Sequence, residues 1–114
     1  MKTLLVVLIV VVAAVGAMLL LRLGQVSSKE AHALVDKGAK LLDVRTASEF
    51  SQGHLPNAIH IPVSDLERRL SELGDKDQTF IVYCASGVRS ARAKRFLIGA
   101  GYSKVHDLGG MSNW

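Results

Sequence analysis

Residues 79–100 read TFIVYCASGVRSARAKRFLIGA, and the order of residue types in this stretch decides the fold. Thr79–Tyr83 is β-branched and aromatic, the composition of a buried strand. Cys84-Ala85-Ser86-Gly87-Val88-Arg89 follows as a small-residue loop, and a helix covers about Ser90–Ala100. The same alternation extends in both directions. Upstream, Ser27-Ser28-Lys29-Glu30 is a capping box opening a helix that Gly38 closes. Lys40–Val44 is a short strand, Thr46-Ala47-Ser48-Glu49 repeats the capping box for a helix ended at Gly53, and Ala58–Ile61 is a strand between Pro56 and Pro62. Ser64-Asp65-Leu66-Glu67 caps a third helix, with Leu66, Leu70 and Leu73 on one face and Gly74 at its end. Downstream, Lys104–Asp107 is a last strand before Gly109-Gly110. Strands alternating with helices predict an α/β fold, a small parallel sheet flanked by helices on both faces, with its site at the carboxyl ends of the strands. Cys84 falls at that place.

The loop has chemistry of its own. A chain that turns from strand to helix over six residues, with Gly87 free to adopt positive φ, points several backbone N–H groups at its centre. The helix N-terminus adds partial positive charge and Arg89 a full one, so the loop is an anion cradle that favours the thiolate, the form that attacks. Arg92, Lys94 and Arg95 fall on several sides of the helix and read as a solvated face.

Residues 3–21, TLLVVLIVVVAAVGAMLLL, contain no charged residue. At about 1.5 Å per residue they span roughly 28 Å, close to the roughly 30 Å of a bilayer's hydrocarbon core. The competing reading is a cleaved signal with Val15-Gly16-Ala17 as the cutting site, but a cut there leaves the apolar Met18-Leu19-Leu20-Leu21 as the new terminus. The expected organisation is a single-pass anchor (or signal) over 1–23, a linker over 24–28 and a domain over 29–114. A short basic N-terminus held in the cytoplasm, with the domain exported across a bacterial inner membrane, is the favoured orientation.

Composition narrows the classes further. About 90 residues outside the anchor form one modest core and not two domains. The chain carries +4; setting aside Lys2 and Arg22 at the flanks of the anchor leaves twelve basic and ten acidic residues, or +2, too balanced for a general nucleic-acid binder. Cys84 is the only cysteine, so it forms no internal disulfide, and His32, His54, His60 and His106 lack the short paired spacing of a metal site. No metal or cofactor is expected. His54 is expected to hydrogen-bond a turn, and Asp43 to form a buried ion pair with Arg45.

Four ordered pieces over about Ser27–Trp114 resemble a single-domain rhodanese, a thiosulfate sulfurtransferase module. They are Leu42-Asp43-Val44-Arg45 followed by Glu49; Gly53-His54-Leu55-Pro56-Asn57-Ala58-Ile59; Tyr83-Cys84-Ala85-Ser86-Gly87-Val88-Arg89-Ser90-Ala91; and Leu108-Gly109-Gly110-Met111 with Trp114. The resemblance implies that Cys84 carries a persulfide and that Cys84 to Arg89 wraps its terminal sulfur, with Ser90 completing the loop. It implies that Asp43, Arg45 and Glu49 support the fold and the pocket rim. The implied partners are a small sulfur-containing anion as donor and cyanide, a thiol or a protein as acceptor. Related folds that act on tetrahedral oxyanions use a loop one residue longer, so phosphatase and arsenate reductase activities are not expected. The remaining alternative is a non-catalytic binding or redox-sensing module at the membrane, with Cys84 oxidised or glutathionylated.

Overall fold

Phe80–Cys84 forms strand β3, and every one of its side chains is buried, because the sheet is covered on both faces. In the computed structural model, which describes the backbone of residues 1–114 and all side chains but those of Leu21 and Arg22, β3 lies between β1 (Lys40–Asp43) and β4 (Val105–Gly110). A two-residue strand, β2 (Ile59–His60), completes the order β2-β1-β3-β4, and all pairings are parallel. The register sets Asp43 beside Tyr83 and Cys84 beside Gly110, with an irregularity at Val82/Tyr83 that lets β4 shift by one residue just before the site.

Side chains alternate along the strands and divide the core in two. Leu42, Phe80, Val82 and Cys84 pack under helix α4 (Val88–Gly99) through Ala93 and Leu97. Leu41, Ile81, Tyr83 and Leu108 pack against helix α2 (Ser28–Asp36) through Ala31, with Trp114 at the edge. Helices therefore cover both faces, as the alternation predicts. Ser27 caps α2 by accepting from the Glu30 N–H, and Thr46 and Glu49 form a complete reciprocal box at the start of α3 (Ala47–Ser51).

The third helix expected from the sequence is not an α-helix. Residues 63–73 form two 3-10 turns, Val63–Asp65 and Leu70–Leu73, and no side chain caps the first. Arg69, between them, leaves helical geometry at φ −106° and ψ 15° while its guanidinium binds Glu72 and the His60 carbonyl. Leu66 and Leu73 are buried regardless. The leucine spacing encoded a buried face, which tight i→i+3 turns present as well as an α-helix does. At its other limits the expected pattern shifts little: α4 starts at Val88, two residues early, and β4 continues to Gly110.

The N-terminal stretch is a single helix, α1 (Lys2–Leu23), and Lys2–Leu20 is long and apolar enough to cross a membrane. The stretch 24–28 is no slack linker. Only Gly24 separates α1 from Gln25, which bridges to Asp107 of β4, and the Val26 N–H donates to the Asp107 carbonyl at 2.8 Å.

Candidate active site

Cys84 ends β3 with its thiol fully buried, and the chain above it reverses within three residues. Gly87 makes that reversal at φ +105°, a conformation disfavoured for residues with a Cβ, and serves as N-cap of α4. Two amides are thereby aimed at one atom: the Gly87 N–H donates to Cys84 Sγ at 3.0 Å and the Ser90 N–H at 3.4 Å. Ser90 Oγ donates back to the Gly87 carbonyl at 3.0 Å and fixes the curl of the loop. Negative charge on this sulfur is favoured by both donors and by the first turn of α4. Ala85, Ser86 and Val88 stand exposed at the mouth.

The sequence suggested a cation free to face this mouth; the structure pairs it. Arg89 and Glu49, the latter from α3, form a two-point ion pair with Nη1–Oε1 at 2.6 Å and Nη2–Oε2 at 2.9 Å. The Arg89 guanidinium first, and the Thr46 N–H second, hold the Glu49 carboxyl down to about 2. Because this lies below its ordinary 4.5, the pair contributes its full stability above pH 4.5 and loses it as pH falls toward 2. The difference in unfolding midpoint between the wild type and Glu49→Gln is therefore expected to be constant from neutral pH down to about 4.5 and to shrink steadily below it, as followed by circular dichroism.

Asp43 and Arg45 lie deeper. Arg45 Nη2 donates to Asp43 Oδ2 at 2.7 Å and to the Gly53 carbonyl at 2.8 Å, so the pair ties the end of β1 to the turn after α3. Burial pushes the Asp43 carboxyl up, but its bonds from Arg45 outweigh this and leave it below the usual range. Burial likewise pushes the neighbouring Tyr83 phenol up to about 12, and that hydroxyl accepts from the Leu55 N–H at 3.1 Å. His54 Nδ1 donates to the Phe50 carbonyl at 3.0 Å, within the turn where the sequence put it. The structure thus joins Cys84 to Ser90 in one loop, brings Glu49 to it through Arg89, and sets Asp43 and Arg45 behind it as a strut. Among the described residues, no cluster of three or more His, Cys, Asp or Glu is placed to hold a metal.

Four contributors, Gly109, Gly110, Gln25 and Asp107, were not assigned to the site from the sequence. Gly110 lets β4 press against the loop: a Cβ there would stand 2.6 Å from the Ala85 carbonyl oxygen. Gly109, at φ +82°, and Gly87 both lie under the Gln25 side chain, where added Cβ atoms would meet it at 2.6 and 3.0 Å. Asp107 Oδ1 accepts from the Gly109 N–H at 2.8 Å and holds that corner; burial pushes its carboxyl up, opposed by the Ser90 hydroxyl and the Gly109 amide. The Gly-Gly pair was visible as a signal, since adjacent glycines after a strand mark a close backbone approach. Nothing local marks Gln25 or Asp107.

The cysteine loop thus lies between a central parallel strand and a helix and is backed by a glycine pair. Residues 27–114 match the family described as Rhodanese-like domain, and the chain belongs to it. It is similar to the chloroplastic thiosulfate sulfurtransferase 16 of Arabidopsis thaliana, with 41% identity over 102 residues, covering 78% of this chain and 84% of the relative. A longer Bacillus subtilis relative, YrkF, is 38% identical over 80 residues, which are 69% of this chain but only 43% of that protein. Among solved structures, the human single-domain sulfurtransferase TSTD1 superposes with a TM-score of 0.69 at 29% identity, covering 76% of this chain and 89% of that one. Sulfur transfer is therefore the family's chemistry.

Proposed function

We propose that this chain is a thiosulfate-type sulfurtransferase working through a persulfide on Cys84, and that α1 holds it at a membrane. The observation that carries the reading is the pair of backbone N–H donors on Cys84 Sγ, inside a loop of six residues. Cys84 thiolate attacks the outer sulfur of thiosulfate; the new S–S bond forms as the bond to the sulfonate breaks, and sulfite leaves with the electron pair. The product is an anionic persulfide, which the Gly87 and Ser90 amides and the helix N-terminus favour. Little acid–base help is required, since it is a thiolate that attacks and sulfite leaves readily. Arg89, Ala85, Ser86 and Val88 shape the mouth, while Asp43, Arg45 and Glu49 hold the frame.

The test is the intermediate. Full-length protein in detergent, incubated with thiosulfate and no acceptor, is expected to gain the mass of one sulfur atom on Cys84, and cyanide is expected to remove it as thiocyanate. Cys84→Ser is expected to show neither change. If the mass never shifts while glutathione disulfide modifies Cys84 readily, the redox-sensing module is the better account.

A further inference from the structure

Asp107 carries a carboxyl that the proposed reaction does not touch. It lies on β4, only 4% exposed, and makes no ion pair with any described residue. A carboxyl taken out of water without a cation is costly, so what it does is read from the hydrogen bonds it makes. We infer that Asp107 is a positioning residue for the first sulfur-transfer step: it pins a bulge in β4 against the Cys84 loop and so keeps the Gly87 and Ser90 amides aimed at the sulfur. The inference rests on the sulfurtransferase reading and adds a residue to its first half-reaction.

Two observations carry it. The first is the register. Val82 pairs with Asp107, but Tyr83 pairs with Gly109 and Cys84 with Gly110, so Leu108 is one extra residue in β4. Without it, Gly109 would lie beside Cys84 in place of Gly110. An extra residue disrupts the ladder locally, and here Asp107 Oδ1 takes the Gly109 N–H at 2.8 Å. Gly109 bends at φ +82°, and Gly110 follows so close to the Ala85 carbonyl that no Cβ fits between them.

The second observation is Ser90. Its N–H is one of the two donors on Sγ, while its hydroxyl donates to the Gly87 carbonyl at 3.0 Å and reaches the Gly109 carbonyl at 3.5 Å. Burial pushes the Asp107 carboxyl up, and the Ser90 hydroxyl opposes that push ahead of the Gly109 amide and of Lys94 on α4. Asp107 therefore meets the first turn of α4 on one side and the glycine corner on the other. The remaining charged groups around the loop are held by their own partners, Arg89 by Glu49 of α3 and Arg45 by Asp43 of β1.

Charge and position predict opposite signs. As a mere negative neighbour, Asp107 would hinder ionisation of the thiol, and its removal would help. As a positioning residue it keeps two N–H donors on the thiolate, and its removal would hinder.

The rate constant for gain of one sulfur on Cys84, followed by mass across pH, separates the two. Full-length protein in detergent is used with saturating thiosulfate and no acceptor; a rate constant, unlike an amplitude, is independent of the fraction folded. The pH midpoint of this rate is expected to move up by about half a unit or more in Asp107→Ala and in Asp107→Val, which is about a threefold slower gain below the midpoint. Asp107→Asn keeps an oxygen for the Gly109 N–H and is expected to stay at or below the wild-type midpoint. A rise in either truncation, with Asp107→Asn at or below wild type, supports the inference. A midpoint that rises in neither truncation overturns it, and so does one that rises as far in Asp107→Asn. In both of those cases sulfur gain in the wild type leaves the sulfurtransferase reading standing, whereas no gain in the wild type removes that reading and this inference with it.

Discussion

Replacing Asp43 with alanine is expected to cost about 3–5 kcal/mol of stability, because it leaves the Arg45 guanidinium buried without its partner. Asp43 is fully covered and Arg45 is only 5% exposed, so water cannot replace the lost carboxylate. Four hydrogen bonds vanish at once: from the backbone N–H of Arg45 at 2.9 Å, from its Nε to both carboxylate oxygens at 3.0 and 3.1 Å, and from its Nη2 at 2.7 Å. A domain of this size holds on the order of 4–13 kcal/mol in all, so the variant sits near its unfolding threshold. Urea denaturation of the full-length protein in detergent measures the effect. The double variant Asp43→Asn with Arg45→Met is expected to be more stable than Asp43→Ala alone, since it removes the orphaned charge as well. The pair also has a pH signature: Asp43 is held below its ordinary 3.8, so its contribution is complete above that pH and is lost under increasing acid.

Gly110→Ala is expected to lower sulfur transfer by about a hundredfold while the protein stays folded. The new Cβ would sit 2.6 Å from the Ala85 carbonyl oxygen, and since that neighbour is backbone, the loop itself must move. A shift approaching 1 Å at a reacting centre costs on the order of 10²-fold in rate, whereas overpacking costs typically about 1–3 kcal/mol in stability. Gly99→Ala is the matched control. An added Cβ meets nothing within 4 Å there, and alanine in α4 gains helix propensity, so turnover is expected to hold and stability to rise by up to about 1 kcal/mol. Thiosulfate-to-cyanide turnover beside a thermal melt separates the two effects.

These contrasts explain which parts of the molecule were legible in its sequence. β3 and the Cys84 loop were plain because their determinants are adjacent: β-branched residues, then a thiol, then a glycine able to reverse the chain. The helix caps at Ser27 and Thr46 were plain for the same reason. Residues 63–73 misled, because leucines at helical spacing report a buried face and not the number of residues per turn. The Arg89–Glu49 pair spans forty residues, and nothing in the local spacing announces it. Gln25 is hardest of all. Its significance comes from lying over Gly87 and Gly109, two positions without side chains, and a missing side chain does not say what occupies its place.

The Gln25–Val26 segment has one more effect, on solubility. An open parallel sheet leaves two rows of unpaired backbone groups, each a template on which another molecule's strand can grow. Here one border, β2, is two residues long and sits between Pro56 and Pro62, which cannot donate to a neighbour. The other border, β4, is covered where Gln25 bridges Asp107 and Val26 donates to it. A proteolytic cut just after Val26 would strip that cover and bare the border of β4, leaving the freed domain prone to strand-by-strand association.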